Sequence, residues 1–214
     1  MRGNRVKRRC AGFWASTGAA RFGLRRSRLP VFAMAIFAAM ALIGAAEARA
    51  DVSIVALGDS GIHGRGVSAS EAYPAQLEAA LRARGHHVTV SNQGVDGDTT
   101  LGVLTRLDSA VPQGTDIVVL SVGSNDKVLH HLSQDYVDSQ IQAIVSRLRA
   151  RGVEVYRLNR MQEGIRDRLD LHVESVRNPE NTMWHLNAAG YAIVVQRTLP
   201  AIEALVKNVE KRKR

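Results

Sequence analysis

The sequence predicts an α/β protein, with a mostly parallel sheet covered by helices on both faces in one domain over residues 51–214. Three observations carry this. Four apolar runs, at 53–57, 87–91, 116–122 and 153–158, have the length and β-branched content of buried or half-buried strands. Amphipathic helical patterns separate them, and alternating strand and helix build parallel sheets. The run "DIVVLSV" at 116–122 is almost wholly apolar, as in a strand covered on both sides.

The elements follow in order. The first strand breaks into Gly58-Asp59-Ser60-Gly61. Over 71–84, Tyr73, Leu77 and Leu81 recur every fourth residue, and Ser68-x-x-Glu71 can form a capping box. The second strand runs into "NQGVDGD", and a short helix is expected after Asp98, which can cap it. Gly123-Ser124-Asn125-Asp126 follows the third strand. Over 134–151, Val137, Ile141, Ile144, Val145 and Leu148 form one stripe, ended by Gly152. In the irregular stretch 159–181, "LDLHVESV" reads as a fifth strand. The last helix follows Asn187, with Tyr191, Val195, Leu199, Ile202 and Val206 facing inward and a bend expected at Pro200. Its basic end, 207–214, reads as a solvated, fraying turn.

Charge first suggests an anionic partner, since the formal net charge is +9. Ten of the 29 Lys and Arg and one of the 20 acidic residues lie in 1–50, which leaves 19 of each in 51–214. A formally neutral domain gives no reason to expect nucleic acid as a partner. Residues 1–50 read as a signal peptide: a basic segment ending in "RRSRLP", an apolar run from Val31 to Ala46, and the small-x-small site Ala48-Arg49-Ala50. Cleavage there would leave an exported protein, periplasmic or secreted, starting at Asp51 and without a stable membrane anchor. Cys10 is the one cysteine and lies in that leader, so 51–214 has no disulfide, thiol nucleophile or cysteine metal site.

In open parallel sheets, ligands bind beyond the carboxyl ends of the strands. Ser60, the 92–98 loop and Asn125 all follow strands, while Trp184-His185-Leu186-Asn187 precedes the last helix. Chain order therefore brings a hydroxyl, a glycine loop, an amide and an imidazole to one rim. Acyl transfer needs that set: a serine with a base to take its proton, and donors for the oxyanion.

These blocks resemble the SGNH (GDSL-type) esterase and thioesterase family. Gly58-Asp59-Ser60 is similar to its nucleophile block, Gly97 in "GVDGDTT" to its glycine block, Asn125 in "GSND" to its asparagine block, and His185 in "HLNAAGY" to its histidine block. The likeness includes the helix "EAYPAQLEAAL" and covers most of 52–206. It implies a three-layer α/β/α sandwich of flavodoxin-like type, no cofactor, no metal, and hydrolysis of small-molecule esters or thioesters. In that chemistry Ser60 attacks, His185 acts as base and then acid, and Ser60, Gly97 and Asn125 form the oxyanion hole.

The sequence departs from the pattern at Thr182, three residues before His185, where the family has Asp. A threonine hydroxyl can accept the imidazole's hydrogen bond but brings no charge. Glu180, Asp170 and Glu174 are the substitutes in reach, and a Ser–His dyad steered by a backbone carbonyl is the other solution. A catalytically impaired ligand-binding protein on the same fold, or a polysaccharide O-deacetylase, are the alternative readings. His63, His86, His87, His130, His131 and His172 are expected at the surface or in loops.

Overall fold

Four strands, β1 (Val52–Gly58), β2 (Val88–Gly94), β3 (Ile117–Ser121) and β4 (Glu154–Arg157), pair in the order β2-β1-β3-β4, every pair parallel. The structure is a computed structural model that describes residues 51–158, 165, 168–173 and 185–214. The leader reading on 1–50 lies outside the described residues. So do Glu174, Glu180 and Thr182.

Between and after the strands lie α1 (Ser60–His63), α2 (Tyr73–Ala83), α3 (Thr100–Thr105), α4 (Leu107–Ala110), α5 (Ser124–Val128), α6 (Gln134–Ala150) and α7 (Ala188–Lys213). The period-2 alternation of the central strands divides the core in two. Ile54, Ala56, Ile117 and Val119 pack with Tyr73, Leu77 and Leu81 of α2 and with Val195, Ile202 and Val206 of α7. Val55, Leu57, Val118 and Leu120 point the other way, onto Val103, Leu107, Ile141, Ile144 and Leu148. Each fully buried Leu or Ile is worth about 1.5–3 kcal/mol, so the stripes read from the sequence are what hold both outer layers. The fold is the expected three-layer α/β/α sandwich.

The chain moves from β1 outward to β2, then returns to the far side of β1 for β3 and β4. The direction of winding thus reverses between β1 and β3. A crevice opens at the carboxyl ends of such a pair, and Ser60 and Asn125 sit at those two ends.

Several local expectations are corrected. Ser68 and Glu71 do interact, with Ser68 N and Oγ donating to Glu71 Oε2 at 3.0 and 2.7 Å. They close a turn ahead of the helix, however, and α2 begins only at Tyr73, with Pro74 in its first turn. Those bonds hold the Glu71 carboxyl below its usual pKa. Asp98 is not the cap of α3. Thr99 is, accepting from Gly102 N at 3.1 Å, while Asp98 pairs with Arg106. The described part of the expected fifth strand is a 3-10 turn, Leu169–Leu171, and an isolated antiparallel bridge, His172 to Leu186. The last helix is continuous through Pro200. Its basic end is tethered rather than fraying: Lys213 Nζ reaches Asp116 at 2.6 Å and Arg212 reaches Glu154 at 2.8 Å. A helix of 26 residues is about 39 Å long, enough to carry those cations to the sheet. Among the described residues, no helix is long and apolar enough to cross a membrane.

His86 and His172 are buried, against expectation. His172 Nδ1 lies 2.8 Å from the Arg168 carbonyl. His86 sits between two carboxylates of α7, 2.9 Å from Glu210 and 3.3 Å from Glu203. Glu203 also receives Lys207 at 2.6 Å and Arg84. Bonds from Lys207, Arg84 and His86, in that order of weight, lower its pKa from 4.5 to about 2. A carboxylate more acidic in the folded than in the unfolded chain adds stability above the unfolded value, lost as pH falls through the folded one. Glu203→Gln should therefore lower Tm at pH 7. That deficit should shrink as pH falls from 4.5 towards 2, which thermal melts of both proteins across this range would check.

Candidate active site

Ser60 is the first residue of α1, two residues beyond the last residue of β1. Asp59 caps the helix, its carboxylate accepting Gly61 N at 2.9 Å, and Asp59 N donates to Ser121 O at 3.2 Å. The Asp of Gly-Asp-Ser thus fixes the turn that presents the serine, a job its position in the sequence did not reveal. Ser60 is 6% exposed, so its hydroxyl lies in a crevice rather than on a surface.

His185 comes to Ser60 from 125 residues away. Its Nε2 lies 2.8 Å from Ser60 Oγ, and the side chain is 4% exposed. With the proton on Nδ1, Nε2 accepts from the hydroxyl, the arrangement a general base requires. The segment is held on both sides. Val173 N donates to His185 O at 3.0 Å and Asn187 N to Leu171 O at 2.9 Å. Asn187 caps α7 through Gly190 N at 3.0 Å and donates to the Asp170 carbonyl at 2.8 Å. A Cβ on Gly190 would fall 2.5 Å from Leu171 O, so "NAAGY" encodes a cap followed by a close backbone approach. Of the possible acid partners, Asp170 is exposed and forms a two-point pair with Arg168, at 2.9 and 2.7 Å.

Asn125 lies in α5 and is 1% exposed. Its Nδ2 donates to the Asp98 carbonyl at 2.7 Å, which ties the asparagine block to the residue after Gly97. Gly97 has φ +77° in an exposed turn closed by Asp98 N to Val95 O at 3.2 Å. That backbone region favours glycine, and a Cβ there would meet nothing within 4 Å. The requirement at Gly97 is conformational rather than one of space.

Two further carboxylates hold this rim together, and neither role was legible beforehand. Asp126 is 0% exposed and accepts from Thr100 N at 2.9 and 3.1 Å and from Thr100 Oγ1 at 2.5 Å. It therefore joins the asparagine block to the start of α3. Asp98 takes Arg106 Nε at 2.8 Å. Nearer solvent, His63 Nδ1 is 2.7 Å from Asp96, and Arg65 Nε is 3.9 Å from the same carboxylate.

The structure thus brings Ser60 and His185 into direct contact and links Asn125 to the loop of Gly97, all at the carboxyl end of the sheet. Such a set can take a proton from a serine and offer donors to a tetrahedral oxygen.

The chain is similar to known proteins in sequence and in fold. A family model described as the GDSL-like lipase/acylhydrolase family matches residues 56–180. The chain is 32% identical over 111 residues to an arylesterase of Vibrio mimicus, covering 51% of this chain and 55% of that protein. It is 26% identical over 124 residues to esterase TesA of Pseudomonas aeruginosa, covering 58% and 61%. It thus spans little more than half the length of the curated relatives it matches. A crystal structure of TesA superposes with TM-score 0.59 at 19% identity, over 72% of this chain and 99% of that one. The psychrotrophic esterase EstA from Pseudoalteromonas sp. does so with TM-score 0.56 at 17% identity, over 72% and 98%. These structural likenesses show the fold.

Proposed function

The chain belongs to the GDSL-like lipase/acylhydrolase family, and from that premise we propose that it hydrolyses carboxylic esters or thioesters through an acyl-Ser60 intermediate. Ser60 Oγ attacks the carbonyl carbon while His185 Nε2 takes its proton. The N–H groups of Ser60 and Gly97 and the Asn125 amide hold the resulting oxyanion. Collapse breaks the carbon–oxygen or carbon–sulfur bond, and the leaving group receives the proton from His185. Water then attacks the acyl-serine, with His185 again as base, and releases the acid. The observation that supports this most directly is the 2.8 Å approach of His185 Nε2 to Ser60 Oγ inside a buried crevice. The names of the curated relatives, an arylesterase and an esterase, point the same way.

An apolar acyl or aryl group is the favoured substrate part. Val95, Leu101, Val128, Leu129 and Leu132 are exposed, and all lie on the segments after β2 and β3 that carry Gly97 and Asn125. Large apolar side chains left exposed on the segments that carry the site favour an apolar ligand.

Steady-state hydrolysis of p-nitrophenyl acetate and octanoate by the purified protein tests this reading. The expected result is turnover of both, with kcat/KM at least about tenfold higher for octanoate, since each buried methylene is worth about 0.8 kcal/mol. Thr182 bears on the second reading, an impaired binding protein. If no carboxylate serves His185, Thr182→Asp should raise kcat by about tenfold or more, because an absent triad acid costs on the order of 10⁴ in other serine hydrolases. A silent parent awakened by Thr182→Asp would favour the binding protein. Export is part of the proposal, supported by the basic and apolar stretches of 1–50 and by Ala48-Arg49-Ala50. Mass spectrometry of the protein from expressing cells should find Asp51 at its N-terminus.

A further inference from the structure

Arg106 takes no part in the reaction as proposed, yet its guanidinium is committed at the base of the site. Arg106 Nε donates to Asp98 Oδ2 at 2.8 Å, and Nη2 donates to the carbonyls of Gln93 at 2.9 Å and Gly58 at 3.2 Å. Those acceptors belong to the ends of β2 and β1 and to the loop of Gly97. One planar fork therefore sets the loop against both strands, a geometry that a lysine ammonium does not reproduce.

The consequence passes through Asp98. Its carbonyl accepts Asn125 Nδ2 at 2.7 Å. A carbonyl can only accept, so this contact fixes which end of the amide faces the loop. An amide nitrogen carries two hydrogens. With one held on Asp98 O, the direction of the other is set, and that second N–H is the donor left for an oxyanion. Gly102 allows the arrangement, because a Cβ there would lie 2.0 Å from Asp98 Oδ1.

We propose that Arg106 is a positioning residue for the oxyanion site, acting through Asp98 on the direction of the Asn125 amide. The inference rests on the esterase reading for its kinetic part alone. Substituting Arg106 by Met should lower kcat for p-nitrophenyl acetate about 10- to 100-fold, towards the loss of one oxyanion donor, with KM changed less than about threefold. Arg106→Lys should recover little of this. Asn125→Ala should cost as much or more, and the Arg106→Met/Asn125→Ala double variant should be no slower than Asn125→Ala alone. A strand staple with no tie to Asn125 would instead make the two losses multiply, and that result, or an unchanged kcat, overturns the proposal. A second readout needs no turnover. In proton–nitrogen NMR spectra, the Asn125 side-chain amide, identified by its absence in Asn125→Ala, should show its two proton signals wider apart than those of a solvent-exposed asparagine amide, and the gap should narrow towards that ordinary value in Arg106→Met. If Arg106→Met does not fold, Arg106→Lys is measured in its place. If the parent hydrolyses no ester, the esterase reading fails by itself. The amide signals then decide alone: a narrowed gap supports the positioning role, and an unchanged one overturns it.

Discussion

Ser60→Ala should lower kcat for p-nitrophenyl esters on the order of 10⁴- to 10⁶-fold, the loss seen when a serine hydrolase is deprived of its nucleophile. The residual rate would come from binding and oxyanion donors acting on water. His185→Ala should fall to a similar level, since a base 2.8 Å from Ser60 Oγ has no use without the hydroxyl, and the hydroxyl is a poor nucleophile without the base. The double variant should therefore be no slower than the slower single one. Stability should hardly move in Ser60→Ala. The Ser60–His185 contact is one hydrogen bond, worth about 0.5–1.5 kcal/mol net, and the cap at Asp59 and the pairing of β1 do not involve the Ser60 side chain. Steady-state kinetics and urea melts on the same three variants test both parts. Retention of more than about a tenth of the rate in Ser60→Ala would remove the serine from the mechanism, whatever the fold.

What the sequence revealed of this site depended on how local each signal was. The stripes of α2 and α6 and the apolar strands are short-range patterns, and the structure has them within a few residues. The partners of His86 are not. Glu203 and Glu210 meet it from a helix about 120 residues on, and nothing near "RGHHV" hints at them. Asp98 shows a subtler failure. It stands one residue before a good cap, Thr99, and local rules cannot tell which of the two the helix takes. In the structure Thr99 is the cap, and Asp98 pairs with Arg106, whose side chain also donates to two strand-end carbonyls. Ser60, Gly97, Asn125 and His185 stand out together in the sequence only because four blocks fall in order along the chain. Each alone reads as a turn residue, a cap or a helix entry. Asp59 and Asp126 lie inside two of those blocks and Arg106 lies outside them all, and what the three side chains touch emerges only from the structure.

Gly58 separates two reasons for a glycine, and its replacement should be the most damaging single change to the fold among those considered. Gly58 is the last residue of β1, paired in register with Ser121 of β3, and its φ is not in the left-handed region. Any residue could adopt its backbone. The constraint is space: a Cβ would lie 1.9 Å from the Ser121 carbonyl oxygen and 2.9 Å from Ile62 Cγ1. The nearest obstacle is backbone, so no rotamer change can relieve it. Either β1 and β3 part at the mouth of the crevice, or α1 shifts and carries Ser60 away from His185. Overpacking of this kind costs typically 1–3 kcal/mol and occasionally more. With the clash on a paired strand, Gly58→Ala should cost about 3 kcal/mol or more out of the usual 5–15, and should lower kcat as well. Gly152→Ala is the contrast, at φ +77° with nothing within 4 Å of the added carbon. Only backbone preference opposes that change, about 1–2 kcal/mol, and the site is untouched. If urea melts rank the two equally, the glycine of the nucleophile block is a turn residue like any other. If Gly58→Ala is far worse and also slow, then the strand end itself is built around the serine, and the block's first letter is a packing requirement of catalysis.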